Sequence, residues 1–223
     1  SITVYPTQNG QYAYGKMNNE DQADYSDIVN LCRVIDGATY SSDEDFIQAL
    51  EAALNVDGFL RYTAVTTILD NWDTYPYTGN NYYLFNNPVS GRFEWLPWDL
   101  AWGENPRTPL FTRAGQGIVQ RAPLYDKVFA IESYRRKYAA YIDLLARHWF
   151  TPENITRQAQ HYQSMIAPYI SQSGGDKAFY GESPMFPADS FETSWQSLVS
   201  FTQARHAFIQ QELQNYVTTN VVR

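Results

Sequence analysis

Between residues 71 and 99 the chain reads NWDTYPYTGNNYYLFNNPVSGRFEWLPWD, and this stretch carries the one hairpin signal in a sequence otherwise helical or irregular. NYYLFN and GRFEWLPW are rich in aromatic and branched residues, and NPVSG between them has turn chemistry. Upstream, DYSDIVNLCRVID places Ile28, Leu31, Cys32 and Ile35 at helical spacing. SSDEDFIQALEAALN follows, with Ser41 or Ser42 as N-cap, acidic residues in the first turn and Phe46, Leu50 and Ala53 as an apolar stripe. VDGFLRYTAVTTILDN is a further helix, apolar on most faces, ending at Asp70-Asn71. Downstream, residues 103–123 are irregular, and a loop of that length is usually functional or mobile. LYDKVFAIESYRRKYAAYIDLLARHWF reads as two helical pieces. TPENITRQAQHYQSMIAPYI starts a helix with Thr151 as N-cap and Pro152 at its first position. A Gly/Ser/Pro stretch over 171–188 precedes the last helix. The expected fold is α+β, mostly helical with a small β-hairpin, in one unit over 1–223 whose first 24 residues are irregular.

Composition narrows the function. Sixteen Lys and Arg against 24 Asp and Glu give a net charge of −8, which lacks the surplus that neutralises nucleic-acid phosphates or an anionic membrane. No apolar run reaches the length of a membrane span, and the first residues show neither part of a signal peptide. Cys32 is the single cysteine, which excludes an internal disulfide and a thiolate metal site, and it reads as a small buried apolar residue. Few lysines with many Tyr, Asn and Gln suit a secreted or cell-surface protein.

The polar ends of the hairpin carry the chemistry. An Asp in a loop can accept a hydroxyl proton, and an Asn carboxamide and a second Asp can share a divalent cation. Mg²⁺ takes few protein oxygens and leaves the rest of its shell to water and substrate phosphates. A rigid hairpin brings the loop before it and the loop after it to one end of a sheet. Asp73, Asn80 or Asn81, and Asp99 stand in those loops and are expected to converge on a small polar pocket. Asp and Asn are also common turn formers and caps, so the same residues fit a purely structural role.

The order Asp, Asn, strand, turn, strand, Asp is the order found in protein kinases, although HRD is absent and the gap from Asp73 to Asn81 is longer. NNYYLF, SGRFEW and PWDL, following Asp73 in that order, resemble the CotH family of atypical kinase-like proteins, named for spore-coat protein H. VDGFLRYTAVTTIL, the PLYDKVFAIESYRRKYAAYIDLLARHWFTPENI segment and ARHAFIQQEL extend the resemblance over nearly the whole chain. It implies the C-lobe of an atypical kinase fold that transfers phosphoryl groups from ATP, with Mg²⁺ or Mn²⁺, to protein Ser/Thr hydroxyls. Asp73 would serve the acceptor hydroxyl. Asn81, with Asn80 as its fallback, would contact the cofactor, and Asp99 with Asn81 would hold the metal. The protein substrate would be a surface or coat protein. PWDLAWG departs from the family's PWDLD, with Ala101 near the place of the second acid. The family's basic nucleotide-contacting segment has no counterpart here: Lys16, Lys127, Lys137 and Lys177 are the only lysines, and no Gly-rich phosphate loop occurs. The expectation is that an upstream nucleotide-binding lobe completes the site.

Other constellations are weaker. His148, His161 and His206 are too dispersed for zinc. Trp72, Trp95, Trp98 and Trp102 read as core and pocket wall, or else as a sugar-stacking platform beside Asp73, Asp99, Glu94 and Glu104. Arg107, Arg113 and Arg121 are solvated, paired with nearby acids, or in contact with phosphate. The competing function is a non-catalytic surface, coat or carbohydrate-binding module on the same scaffold.

Overall fold

The computed structural model describes residues 15–18, 20–22, 24–100, 103, 105–113, 122–170 and 190–221. The readings made on 1–14, on Ala101, Trp102, Glu104 and Arg121, and on 171–188 fall outside them.

The expected order holds. Helix α1 (Ser26–Cys32) runs into a wider π-helical turn (Arg33–Gly37), followed by α2 (Asp43–Ala53) and α3 (Val56–Ile68). Strands β1 (Tyr82–Asn87) and β2 (Arg92–Pro97) form one antiparallel hairpin. Helices α4 (Pro123–Ala130), α5 (Glu132–His148), α6 (Pro152–Ile170) and α7 (Ser190–Val221) complete the chain. The molecule is mostly helical with one small sheet, an α+β arrangement. Among the described residues no helix is long and apolar enough to cross a membrane.

Local chemistry fixes most boundaries. Ser42, not Ser41, caps α2: its Oγ accepts the Asp45 N–H at 3.1 Å. Thr151 Oγ1 accepts the Asn154 N–H at 3.2 Å at the start of α6, one residue before Pro152. The aromatic-rich segment after Pro123 breaks at Ile131, whose backbone is extended and separates α4 from α5. In the hairpin turn Gly91 adopts φ +69 and donates its N–H to Asn87 O at 2.8 Å.

A two-stranded hairpin is marginal by itself in water and must pack on something. Here it packs on α3. Leu54 bridges Phe93 in parallel, and the Asn55 N–H donates to Phe93 O at 2.8 Å. The Asn55 side chain does two jobs. Its Oδ1 caps α3 by accepting the Gly58 N–H at 3.0 Å, while its Nδ2 donates to Glu94 Oε2 at 2.6 Å. Register Tyr82↔Pro97, Leu84↔Trp95 and Asn86↔Phe93 turns Trp95 and Phe93 into the core. Trp95 stacks on Tyr82 with ring centres 4.2 Å apart and meets the edges of Phe59 at 4.9 Å and Tyr75 at 5.1 Å. Helix α3 is covered on its other side by α5, whose Tyr138 and Ile142 are fully buried. Helix α7 adds Thr202, Arg205 and Ile209 to the interior. Cys32, expected in the core, is only half-buried, because α1 lies at the edge of the core and presents Leu31 to it instead.

Ser42→Ala is expected to cost about 1 kcal/mol of unfolding free energy, with Ser41→Ala neutral to within a few tenths. Guanidinium denaturation of the two variants checks this.

Candidate functional site

The site grows out of the end of α3. After Leu69 the chain makes a tight, mostly buried turn through Asp70 and Asn71, whose N–H groups donate to Thr67 O (3.1 Å) and Thr66 O (2.8 Å). Asn71 Oδ1 accepts the Asp73 N–H at 3.2 Å. Thr74 is fully buried, and its carbonyl accepts the N–H groups of Tyr77, Thr78 and Gly79. The loop is held from below by Tyr75, whose hydroxyl accepts the Leu124 N–H at the start of α4 at 3.0 Å. Arg113 ties it from the side, donating to Pro76 O at 3.0 Å and pairing with Asp126 at 3.2 Å. Arg113 is thus a nearly buried strut paired with an acid, the structural option among those open for it. Arg107 is exposed.

Asp73 stands at the centre of a hydrogen-bonded group. Its Oδ1 accepts Thr78 Oγ1 at 2.6 Å and Asn80 Nδ2 at 3.3 Å. Asn81 Nδ2 donates to Asp73 Oδ2 and to Asp73 O, both at 2.9 Å. The amide nitrogen of Asn81 is therefore committed to Asp73, and its Oδ1 is left for another partner. Asn80 and Asn81 are not equivalent: Asn81 is half-buried and doubly anchored, Asn80 exposed and singly bonded.

Asp99 arrives through the second strand. The Trp98 N–H donates to Asn81 O at 3.3 Å, one step beyond the Tyr82↔Pro97 pair, so the chain reaches Asp99 directly after pairing with the anchored Asn81. Asp99 is exposed, and no hydrogen bond joins it to Asp73, Asn80 or Asn81. The structure thus bonds Asp73, Asn80 and Asn81 together and sets Asp99 at the same end of the hairpin, without a hydrogen bond to them.

Backbone strain concentrates here. Among the described residues the non-glycine positions with positive φ are Asp70 (54°), Asn81 (60°) and Asp99 (47°). Asp and Asn tolerate the left-handed region better than other L-residues because their short polar side chains bond locally. All three begin or end a segment that shapes the site.

Sequence reasoning missed three participants. Thr78 is a donor to Asp73 from five residues on, a spacing no motif signals. Asp70, read only as the end of a helix, is buried and accepts the Asn105 N–H through Oδ2 at 2.8 Å. Arg205, inside the ARHAFIQQEL segment, is fully buried with its fork on backbone carbonyls. Burial pulls its guanidinium below the usual value, and the Asp70 carboxylate opposes that shift. The tryptophan reading needs correction: Trp95 is core, but Trp72 and Trp98 are 60% and 57% exposed, since their segments turn outward at the hairpin mouth. Trp98 does meet the Tyr83 ring at 5.3 Å on the outer face. Tyr62 lies under the site against Trp95, and burial pushes its hydroxyl up to about 12, so it remains a neutral wall. Glu94 is occupied by Asn55.

A mostly helical fold with a hairpin flanked by an Asp–Asn pair and a second Asp has the order of a kinase-like phosphoryl-transfer site. The chain belongs to the CotH kinase family: the family model described as CotH kinase protein matches residues 3–209. That membership brings a kinase-like function and nucleotide use in general. Comparison with curated proteins finds no match.

Asn81→Ala is expected to destabilise more than Asn81→Gly by about 1 kcal/mol, because glycine accepts φ near 60° without the clash of a Cβ. Both lose the tether to Asp73. Denaturant titration of the pair separates backbone strain from the hydrogen bonds.

Proposed function

We propose that this chain supplies the acceptor and metal side of an ATP-dependent protein kinase site, resembling the C-lobe of a kinase fold and acting on Ser/Thr hydroxyls. The observation that carries the reading is the Asn81 amide, whose nitrogen is locked on Asp73 and whose oxygen is left over at the end of the hairpin from which the chain runs on to the exposed Asp99. The Asn81 amide oxygen and the Asp99 carboxylate are hard oxygen donors, the kind that suits Mg²⁺ or Mn²⁺ with water and phosphate completing the shell.

Asp73 accepts a hydrogen bond from the acceptor hydroxyl and orients it for in-line attack. Thr78, Asn80 and Asn81 hold the carboxylate in one rotamer for that task. Asn81 and Asp99 would hold the cation, which when bound neutralises charge on the nucleotide phosphates. The outer hairpin face, with Phe85 and Leu96 each 43% exposed and Trp98 beside them, is the apolar floor against which an upstream nucleotide-binding lobe closes. The acceptor is a surface or coat protein, and the setting is secreted or cell-surface, in line with the low lysine content.

A second reading has its own support. Trp72 and Trp98 are exposed near Asp73 and Asp99 in sequence, as in a sugar-stacking platform, which would make this a carbohydrate-binding surface module.

Asp99→Asn removes the charge that holds a hard cation while keeping side-chain size. Metal-dependent ATP binding by the full-length protein is expected to collapse, with melting temperature little changed. Asp73→Asn is expected to keep that binding and lower phosphoryl transfer by about 100-fold or more. Calorimetry with Mg²⁺-ATP and transfer of labelled phosphate check the two. Unchanged metal affinity in Asp99→Asn removes the metal assignment, and retention on polysaccharide without nucleotide binding favours the module.

A further inference from the structure

The segments that deliver Asp73 and Asp99 are fastened to each other behind the site. The Gly103 N–H donates to Leu69 O at 2.7 Å, and the Asn105 N–H donates to Asp70 Oδ2 at 2.8 Å. The approach is close enough to require glycine: a Cβ on Gly103 would lie 2.0 Å from Asp70 O and 2.1 Å from Asp70 Oδ2. Arg205 of α7 closes the clasp from inside. Its Nη2 donates to Thr67 O at 2.6 Å and its Nε to Ile68 O at 3.3 Å, both carbonyls at the C-terminal end of α3. Its Nη1 donates to Thr108 O at 2.5 Å and Pro106 O at 3.2 Å in the loop after Asp99.

The last carbonyls of a helix lack intrahelical donors and carry its negative dipole end, so a buried cation there satisfies both. A cation is costly to bury and cheaper alternatives exist for capping alone. The planar fork does what they cannot: it reaches the end of α3 with one edge and the 106–108 loop with another. The two catalytic segments thereby acquire one fixed separation.

We propose that Arg205 and Gly103 form a positioning clasp that sets the spacing of the Asp73 and Asp99 segments, and thus the geometry of the cation site. The functional part of this rests on the kinase reading above; the clasp itself does not. Arg205→Lys keeps the charge but replaces the fork by a single ammonium that cannot bridge both segments. In hydrogen exchange, the amides of Gly103, Asn105 and Asn71 are expected to exchange at least about tenfold faster in Arg205→Lys, with the α5 amides around Ile142 unchanged. In Mn²⁺ titration followed by the electron-spin signal of the free ion, affinity is expected to fall by about 10- to 100-fold, as on loss of support behind a metal ligand. Should Arg205→Lys fail to fold, Gly103→Ala opens the clasp from the other side and is read the same way. Unchanged exchange at Gly103 and Asn105, or acceleration spread evenly over α5, overturns the clasp. Local acceleration with unchanged Mn²⁺ affinity overturns its positioning role. Wild-type protein that binds no Mn²⁺ overturns the kinase reading and that role with it, while the exchange data still decide whether the clasp exists.

Discussion

The structure depends on the docking of one hairpin against one helix. Two strands cannot hold themselves together in water, and the polar loops at their mouth need a rigid base. Helix α3 supplies it, because nearly every turn of VDGFLRYTAVTTI is buried: β2 covers it on one side and α5 on the other. Trp95 is the point of contact, packed by Phe59, Tyr62, Tyr75 and Tyr82. Tyr75 and Tyr82 belong to the Asp73 loop and to the strand after Asn81, so the aromatic cluster that stabilises the fold also fixes the loop carrying the site. Packing and site geometry are one construction here.

Polar satisfaction does the rest. Buried backbone groups need partners, and a long irregular stretch creates many of them. Tyr138 donates to Leu110 O at 2.8 Å, Arg205 serves carbonyls on both sides of the site, and Asp70 accepts from Asn105. Side chains from α5, from α7 and from the turn after α3 thereby hold the described part of the loop that follows Asp99. The left-handed backbone at Asp70 and Asn81 persists under the hydrogen bonds that hold each residue, Asp70 to Asn105 and Asn81 to Asp73.

Much of this was legible in the sequence, and unevenly so. Helix starts were readable because caps are local: Ser42 and Thr151 do what their neighbours imply. The hairpin was readable because aromatic and branched strand content and the turn chemistry of NPVSG are local too. The pairing of Asn81 with Asp73 was suggested by order and settled by geometry. Which of Asn80 and Asn81 matters more to Asp73 was not legible, since the two differ only in what the backbone does: φ +60 at Asn81 turns its amide inward. The tryptophans misled, because indole content reports affinity for apolar surroundings but not which side of a strand end faces them. Trp95 sits at a core-facing register position, whereas Trp98 lies past the end of β2.

Sequence by itself determined the element order, the caps, the turn and the family, because each rests on interactions among residues a few positions apart or on a contiguous motif. Tertiary structure alone decided the role of Arg205, which meets Thr67 across 138 positions, and of Gly103, whose missing Cβ matters only because Asp70 lies against it. The physical reason is that a buried charge and a steric vacancy have no local signature. Each acquires meaning from the atoms that surround it once the chain has closed on itself.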